Sequence, residues 1–231
     1  MKGQKFLVIG VGRYGSAIAR KLAEKGAEVI AFDTNEEKIE SLKDEVSLAV
    51  TLDGSDKKAL MAQNAGDADA AIVSIGDNFE AVILASVHLM EMGVDRIISR
   101  ASGPQQRKIL EKIGVKEILT PEDEVAFVVV ERLLNPSIVS FLQLPDDYEI
   151  AEIRAPKAIC ERTIQDCDLR NKYELTLVTV KREFKVEKGG KVVKEKHVLG
   201  VPNSETVIQD SDTLVVFGTS KAVARFIEIN D

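Results

Sequence analysis

Residues 5–15 read KFLVIGVGRYG, a short apolar run that leads directly into three glycines, Gly10, Gly12 and Gly15. They form a G-x-G-x-x-G pattern between a predicted strand and a predicted helix. In that setting the first glycine permits a tight turn, the second lets a phosphate approach the backbone, and the third lets the helix pack closely on the sheet. The unpaired N–H groups at the start of the helix then face the anion. An ordinary glycine turn is the alternative interpretation.

Two charged residues extend this nucleotide-binding interpretation. Asp33 ends the second apolar run, where a carboxylate accepts hydrogen bonds from both ribose hydroxyls and repels a 2′-phosphate. Arg13 lies inside the glycine turn, where a cation opposes the helix macrodipole unless an anion is bound nearby. We therefore expect Arg13 to clamp the terminal phosphates of a mononucleotide. A surface aspartate that begins a turn and a solvated arginine are the respective alternatives.

Short apolar runs alternate with helical patterns from Lys5 to about Thr120, and the runs begin near positions 5, 28, 48, 70, 95 and 116. Such regular alternation is typical of repeated βα units. It predicts an α/β fold with a Rossmann-type, doubly wound parallel sheet. After the second strand, Thr34 and Glu37 have the spacing of a helix capping box.

Polar residues or glycine stand at the carboxyl ends of several predicted strands: Asp53, Ser74, Gly76 and Arg100. This edge of an open α/β sheet is where ligands bind. We expect these residues to contact adenine, ribose or phosphate. Single polar residues are also common at strand ends, so a purely structural role is equally compatible with the pattern.

The pattern changes after the last strongly apolar helix, which ends near residue 134. A short apolar helix is predicted over Ile138–Leu144, and a linker follows at residues 145–147. We therefore predict a nucleotide-binding domain at residues 1–134, a crossover helix and linker at 135–147, and a second domain at 148–231.

The second domain is predicted to be a small α+β unit, because strand patterns outnumber helical ones. Gly189 and Gly190 predict a hairpin turn between two of the strands. The predicted strands are Tyr148–Ala155, Leu175–Val186, Lys191–Leu199 and Thr213–Phe217.

Composition limits the possible partners. The formal net charge of −7 argues against nucleic acid as a ligand, and the apolar runs are too short to cross a membrane. The first residues enter a strand pattern at once, which leaves no room for a signal peptide. Cys160 and Cys167 have no partner pattern for a disulfide framework or a zinc site, which is typical of a reducing, cytoplasmic setting.

Candidate catalytic residues are few. His88 lies within an apolar helix pattern and His197 lies in a charged hairpin pattern, and neither accompanies a nucleophile or a second histidine in a known order. Binding without chemistry is therefore favoured. A small NAD-dependent oxidoreductase, which shares the glycine pattern and Asp33, is the main alternative, and a nucleotide-dependent scaffold is a third.

The chain resembles the RCK (regulator of potassium conductance, or KTN) family, as found in the TrkA and Ktr-type regulatory subunits of bacterial potassium uptake systems. The resemblance rests on the Phe6–Gly15 loop, Asp33, residues 52–56 (LDGSD), residues 120–122 (TPE) and residues 211–218 (SDTLVVFG). It implies a cytoplasmic regulatory subunit with a Rossmann domain and an RCK C-terminal domain. It further implies homodimers that assemble into a ring and dock on a membrane potassium channel or transporter subunit at the inner membrane.

The resemblance also implies a ligand, ATP or ADP, with NAD(H) or AMP as alternatives. It places Arg13 and Arg100 at phosphates, Asp33 at the ribose and Asp53 at the base. Glu122 would reach the nucleotide or a divalent cation across the dimer interface. The predicted cofactor-binding residues are Gly10, Val11, Gly12, Arg13, Tyr14, Gly15, Asp33, Thr34, Asp53, Gly54, Ser74, Ile75, Gly76 and Arg100.

Overall fold

The structure is a computed structural model that describes residues 3–188 and 191–231. The chain divides into two compact units, Met1–Glu124 and Val125–Asp231. The predicted hairpin turn at Gly189 and Gly190 lies outside the described residues. Over the part of the chain that the structure describes, every helix is too short or too polar to cross a bilayer.

The first unit contains a six-stranded parallel sheet in the order β3-β2-β1-β4-β5-β6. The chain moves outward from β1 in one direction and then returns to β4 on its other side, which is the doubly wound arrangement. The predicted fold class is confirmed. The strands are β1 (Lys5–Ile9), β2 (Glu28–Asp33), β3 (Leu48–Thr51), β4 (Ala70–Val73), β5 (Ile97–Arg100) and β6 (Glu117–Leu119).

Helices follow the strands of this sheet. The helix after β2 begins one residue later than its predicted capping box: Asn35, not Thr34, is the N-cap, and its side chain accepts a hydrogen bond from the N–H of Lys38. Asn35 is itself fixed because its N–H donates to Asp33. The helices are α1 (Arg13–Glu24), α2 (Glu36–Glu40), α3 (Lys57–Ala62), α4 (Phe79–Glu91), α5 (Pro104–Ile113) and α6 (Pro121–Leu134).

The parallel sheet is buried on both faces, as helix-covered parallel sheets require. Successive residues of β1 show this directly: Leu7 and Ile9 belong to one hydrophobic cluster, and Val8 belongs to another. All three side chains are almost fully buried. Ile9, Phe32 and Leu52 of the first cluster reach the carboxyl edge of the sheet, where the strands end.

The second unit contains a five-stranded antiparallel sheet in the order β10-β9-β11-β8-β7. Its core includes Ile153, Leu214 and Phe226. The prediction of a small α+β C-terminal domain is confirmed. Its elements are β7 (Ile138–Gln143), β8 (Tyr148–Arg154), α7 (Ile164–Cys167), α8 (Leu169–Tyr173), β9 (Thr176–Lys188), β10 (Lys191–Val198), β11 (Thr213–Thr219) and α9 (Ser220–Asn230).

The predicted crossover helix over Ile138–Leu144 is wrong. Residues Ile138–Gln143 form β7, which pairs with β8 in the second sheet. A six-residue apolar run does not by itself distinguish a strand from a buried helix turn, and here the long-range pairing decides the conformation. The domain limits at residues 134 and 148 stay a prediction.

Candidate functional site

A cleft of about 460 Å³ opens at the carboxyl ends of β1, β2, β4 and β5. It lies where β1 and β4 diverge to opposite sides of the sheet, the usual ligand position in such folds. Most of the predicted binding residues line it together. They are Gly10, Gly12, Arg13, Tyr14, Asp33, Thr34, Asp53, Gly54, Ser74, Ile75, Gly76 and Arg100.

The glycine turn is tightly packed on one side and open on the other. Gly10 has φ of 93°, and a Cβ there would lie 2.7 Å from the backbone nitrogen of Ile75. A Cβ on Gly15 would lie 2.0 Å from the carbonyl oxygen of Gly10. Around Gly12, by contrast, nothing lies within 4 Å of an added Cβ. The backbone is therefore approachable at Gly12, the position expected to accept a phosphate.

Helix α1 presents its amino terminus to this opening. Its first hydrogen bond runs from the N–H of Ser16 to the carbonyl of Gly12, 2.9 Å, so the preceding N–H groups have no acceptor within the helix. Val11 and Gly15 are buried behind the turn and shape it without lining the cleft. An anion placed at Gly12 would meet both free N–H groups and the positive end of the helix dipole.

Asp33 ties the glycine turn to the end of β2. One carboxylate oxygen accepts the N–H of Val11 at 2.7 Å, and the other accepts the N–H of Asn35 at 2.9 Å. Lys38 Nζ lies 3.6 Å from the first oxygen. Because a carboxylate offers about four acceptor positions, capacity for a ribose hydroxyl remains. The sequence pattern predicted only a contact between Asp33 and the ligand. The structure adds the hydrogen bonds from Val11 and Asn35, which fix the glycine turn.

Ser74 supports the turn from β4. Its hydroxyl lies 2.7 Å from the carbonyl oxygen of Gly10 and 3.2 Å from that of Ile9, and its residue is only 4% exposed. The single hydroxyl proton is therefore directed at the backbone. In this arrangement Ser74 positions the glycine turn from within the wall of the cleft.

At the end of β3, Asp53 forms a compact local turn. Its Oδ1 accepts both the N–H and the hydroxyl of Ser55, at 2.9 and 2.7 Å, and these bonds hold the pKa of Asp53 below its ordinary value. The next residue is Gly54, where a Cβ would lie 2.3 Å from Cγ2 of Ile9. Close packing against β1 thus explains a glycine at this position, and Asp53 stays an exposed anion at the rim.

Arg100 ends β5 and lines the cleft with its side chain one-fifth exposed. Its guanidinium donates to the carboxylate of Glu122, in the first turn of α6. Glu122 itself does not line the cleft. The described residues bring no group of three histidine, cysteine or acidic side chains together as a cation site. A single carboxylate already paired with arginine does not fit a divalent cation within one chain.

Three polar residues of the cleft were missed by sequence reasoning: Lys38, Asp77 and Asn78. Lys38 lies in α2 beside Asp33, and a basic residue shortly after the β2 carboxylate was the available signal. Asn78 is the N-cap of α4, where its side chain accepts the N–H of Ala81 at 3.1 Å. Both its cap role and its place in the cleft come from the structure.

Comparison with known proteins assigns both parts of the chain. Residues 6–121 match the TrkA-N domain and residues 148–230 match the TrkA-C domain. A relative, the Ktr system potassium uptake protein C of Bacillus subtilis (strain 168), is 32% identical over 96% of this chain and 96% of its own length.

Solved structures share the fold. The crystal structure of the GsuK RCK domain has a TM-score of 0.63 at 16% identity and covers 99% of this chain and 48% of its own. The GsuK channel bound to NAD has a TM-score of 0.62 at 17% identity, covering 99% of this chain and 39% of its own. This chain therefore spans less than half the length of those two proteins. From its two domain matches and its relative along almost the whole length, the chain belongs to the Ktr and TrkA family of potassium-uptake proteins.

Proposed function

We propose that this chain is a cytoplasmic, nucleotide-sensing regulatory subunit of a membrane potassium channel or transporter. The observation that carries the proposal is the cleft at the carboxyl edge of the parallel sheet, where the open backbone at Gly12, the amino terminus of α1 and Arg13 converge. The helix terminus and Arg13 are two sources of positive potential for one anionic ligand, and Gly12 leaves the approach to them open. ATP or ADP is the proposed ligand, with NAD(H) or AMP as alternatives.

Arg13 is the residue best placed to sense the number of phosphates. Its residue is exposed at the cleft, and no salt bridge involves it among the residues that the structure describes. A cation without a carboxylate partner is available to an incoming phosphate without first losing a salt bridge. Asp33 would accept a ribose hydroxyl, and Asp53 would lie toward the base.

The regulatory interpretation also draws support from the residues around the cleft. Neither of the two histidines in the chain lines it: His88 lies in α4 and His197 lies in β10. Hydride transfer needs an acid or base beside the nicotinamide; the histidines are excluded from that role, whereas Tyr14, Lys38 and Asp77 of the lining are not. The NAD-dependent oxidoreductase therefore stays the second candidate, because that class shares the glycine pattern and the carboxylate at Asp33.

A second copy of the chain is the proposed first partner, as the start of a ring. Helix α6 has no buried residue, and six of its apolar side chains are exposed, more than an isolated surface helix usually shows. A homodimer would cover these apolar side chains. Glu122 alone cannot hold a divalent cation, so the other ligands would come from the second copy or from the nucleotide. The exposed side chains are Val125, Phe127, Val129, Val130, Leu133 and Leu134.

Calorimetric titration with ATP, ADP, AMP and NADH tests the proposal. We expect Arg13→Ala to weaken ATP binding roughly tenfold, the loss of one charge-assisted contact, and to change AMP binding much less. Arg20→Ala is the matched control, because Arg20 lies on the same helix but pairs with Glu45 outside the cleft. Absence of binding by all four nucleotides would refute the proposed function. If Arg13→Ala lost equal affinity for ATP and for AMP, the proposed role of Arg13 would be refuted. Oxidation of NADH in a substrate screen would favour the oxidoreductase.

A further inference from the structure

A two-stranded arm projects from the antiparallel sheet of the second unit. Strand β11 pairs with β9 only as far as Lys181, whereas β9 and β10 stay paired with each other as far as Lys188 and Lys191. The arm consists of residues 183–188 and 191–196, about 20 Å of chain in each strand. A hairpin of two strands is only marginally stable in water. A further packing partner would therefore stabilise the arm.

One face of the arm, its basic face, carries an excess of positive charge. Residues that are opposite each other in an antiparallel pair project to the same face, so Lys185 and Lys194, which are paired in register, lie side by side. Like charges in this position repel. Lys194 and Lys196 share the carboxylate of Glu183, at 3.3 and 3.9 Å, and Lys185 has no salt bridge among the described residues. Even with Glu187 on the same face, lysines outnumber glutamates there, and an anionic partner would relieve the repulsion.

The opposite charge lines a second cleft of the same unit, of about 440 Å³, which we call the acidic cleft. Its lining contains no basic residue, and within the described part of the chain none of its carboxylates forms a salt bridge. These carboxylates belong to Glu131, Asp146, Asp147 and Glu149. Burial raises the pKa of Glu149, the hydrogen bond from Ser220 lowers it, and Glu131 raises it further. The acidic cleft therefore lacks a positive charge of its own.

The ligand that suits this cleft is an organic cation. Nowhere in the described residues do three histidine, cysteine or acidic side chains come together as a metal site. Phe127 and Leu144 also line the cleft, and Phe127 is 47% exposed. A lysine packs its aliphatic stem along such apolar surface while its ammonium group reaches a carboxylate. On the basic face of the arm, Val192 is 69% exposed beside the lysines, so the two surfaces match in apolar character as well as in charge.

The arm cannot enter the acidic cleft of its own chain. It continues β9 past Thr213, the first residue of β11, which is paired with Arg154 at the end of β8. The acidic cleft lies at the other end of β8, where Glu149 is the second residue. The 7 residues of β8 span about 23 Å, and the arm extends in the direction away from the cleft. The two complementary surfaces can therefore meet only between two chains.

We propose that the basic face of the arm docks in the acidic cleft of a second copy of this chain. The inference rests on the proposed association of copies and gives it a contact, in which Lys185, Lys194 and Lys196 face Asp146 and Asp147. The acidic cleft borders α6, so this contact is continuous with the apolar face that a second copy is proposed to cover. Because it joins two different surfaces, it either forms reciprocally between two copies or repeats around a ring.

Carbodiimide cross-linking of a mixture of unlabelled and isotope-labelled full-length chain tests the contact, since the reagent joins an amine to a carboxylate that touches it. We expect amide bonds between the arm lysines of one chain and Asp146 or Asp147 of another. The double variant Asp146→Asn, Asp147→Asn should lose these bonds, and asparagine tolerates the positive φ of both positions, 59° and 61°. Lys188→Gln is the matched control, because Lys188 lies on the other face of the arm and pairs with Glu195.

Sedimentation equilibrium of the unmodified chain and of the double variant Lys185→Gln, Lys194→Gln gives a second readout. We expect the variant to associate about two- to tenfold more weakly at low ionic strength, the strength of a few exposed ion pairs. The difference should shrink at high salt. If the lysines only prevent the edge strand β10 from pairing with other chains, their removal would instead strengthen association and overturn the proposal.

The two measurements separate this contact from the proposed function. Association of the chain without cross-links between arm and acidic cleft would overturn the contact and leave the proposed homodimer intact. A chain that neither associates nor cross-links would overturn the homodimer as well. Nucleotide binding is titrated separately, at a cleft that neither the arm nor the acidic cleft lines.

Discussion

The two units of the chain use buried charged and polar side chains in opposite ways. In the first unit, Asp33 and Ser74 hold a glycine turn whose other side faces an open cleft. In the second, Arg182 donates through two nitrogens to Asp212 at 2.8 and 2.7 Å, and the Asp212 side chain is fully buried. Strand direction accounts for the contrast: parallel strands bring all their carboxyl ends to one edge, whereas antiparallel strands alternate. In the first unit, polar groups therefore converge on the cleft at that edge.

The strongest test of this contrast is Asp212→Ala. Removing the carboxylate leaves the Arg182 cation without its partner and the N–H of Gln209 without its acceptor. We expect the second unit to lose about 3–5 kcal/mol of unfolding free energy, the usual cost of breaking a buried ion pair. Hydrogen-exchange protection, which reports each unit separately, measures the loss.

Asp210→Ala is the control for this change, because Asp210 lies two residues away and is exposed. Nucleotide affinity should be unchanged in both variants. If Asp212→Ala alone weakened nucleotide binding, then binding would depend on the second unit as well as on the first.

Two glycines of the first unit form the next test. Gly15→Ala places a Cβ against the carbonyl of Gly10, and we expect a loss of about 3 kcal/mol in unfolding free energy from overpacking. Gly12→Ala meets no neighbouring atom and should leave stability nearly unchanged. Its methyl group would instead occupy the approach to the backbone, so that nucleotide affinity falls roughly tenfold. Denaturant unfolding measures the stability of both variants, and calorimetry measures their nucleotide affinity. If Gly12→Ala lost as much unfolding free energy as Gly15→Ala, the backbone at Gly12 would not be open.

The smallest expected effect concerns the pH dependence of the second unit. Burial raises the pKa of Glu149, its hydrogen bond from Ser220 lowers it, and Glu131 raises it further. Because the folded pKa lies above the ordinary one, the associated stability is full below the ordinary glutamate pKa and is lost as pH rises through the folded value. Glu149→Gln should remove this part of the pH dependence.

Glu228→Gln provides the comparison, since Glu228 is an exposed carboxylate on α9 of the same unit. Unfolding free energy followed from acidic to neutral pH checks both variants. If the slope of unfolding free energy against pH were the same in Glu149→Gln as in the unmodified chain, the Glu149 carboxyl would not have the raised pKa that its surroundings indicate.

The parallel fold was predictable because its signals are local and repeated. Each strand of the first sheet is a short apolar run followed by a helical pattern, and the glycine turn marks the first crossing. The Ile138–Gln143 run lacked such context, and its conformation depends on pairing with β8. The cap of α2 shifted from Thr34 to Asn35 for a similar reason, since the neighbouring Asp33 carboxylate holds the Asn35 N–H.

Which residues would lie near the cleft was also largely predictable, because the ends of parallel strands meet at one edge whatever the details of packing. What each residue does there was not. Ser74 contacts Gly10 across 64 positions of sequence and Arg100 contacts Glu122 across 22. No local pattern encodes either contact.

The sequence by itself thus determined the order of strands and helices in the parallel sheet, the glycine turn and the sheet edge that carries the cleft, because propensity, periodicity and glycine geometry act over a few residues. Tertiary structure alone decided that Asp33 and Ser74 hold the turn, that Lys38 joins the cleft and that Arg100 pairs with α6. Those contacts are hydrogen bonds and ion pairs between distant positions, and their partners are selected only when the packed sheet brings them within about 3 Å.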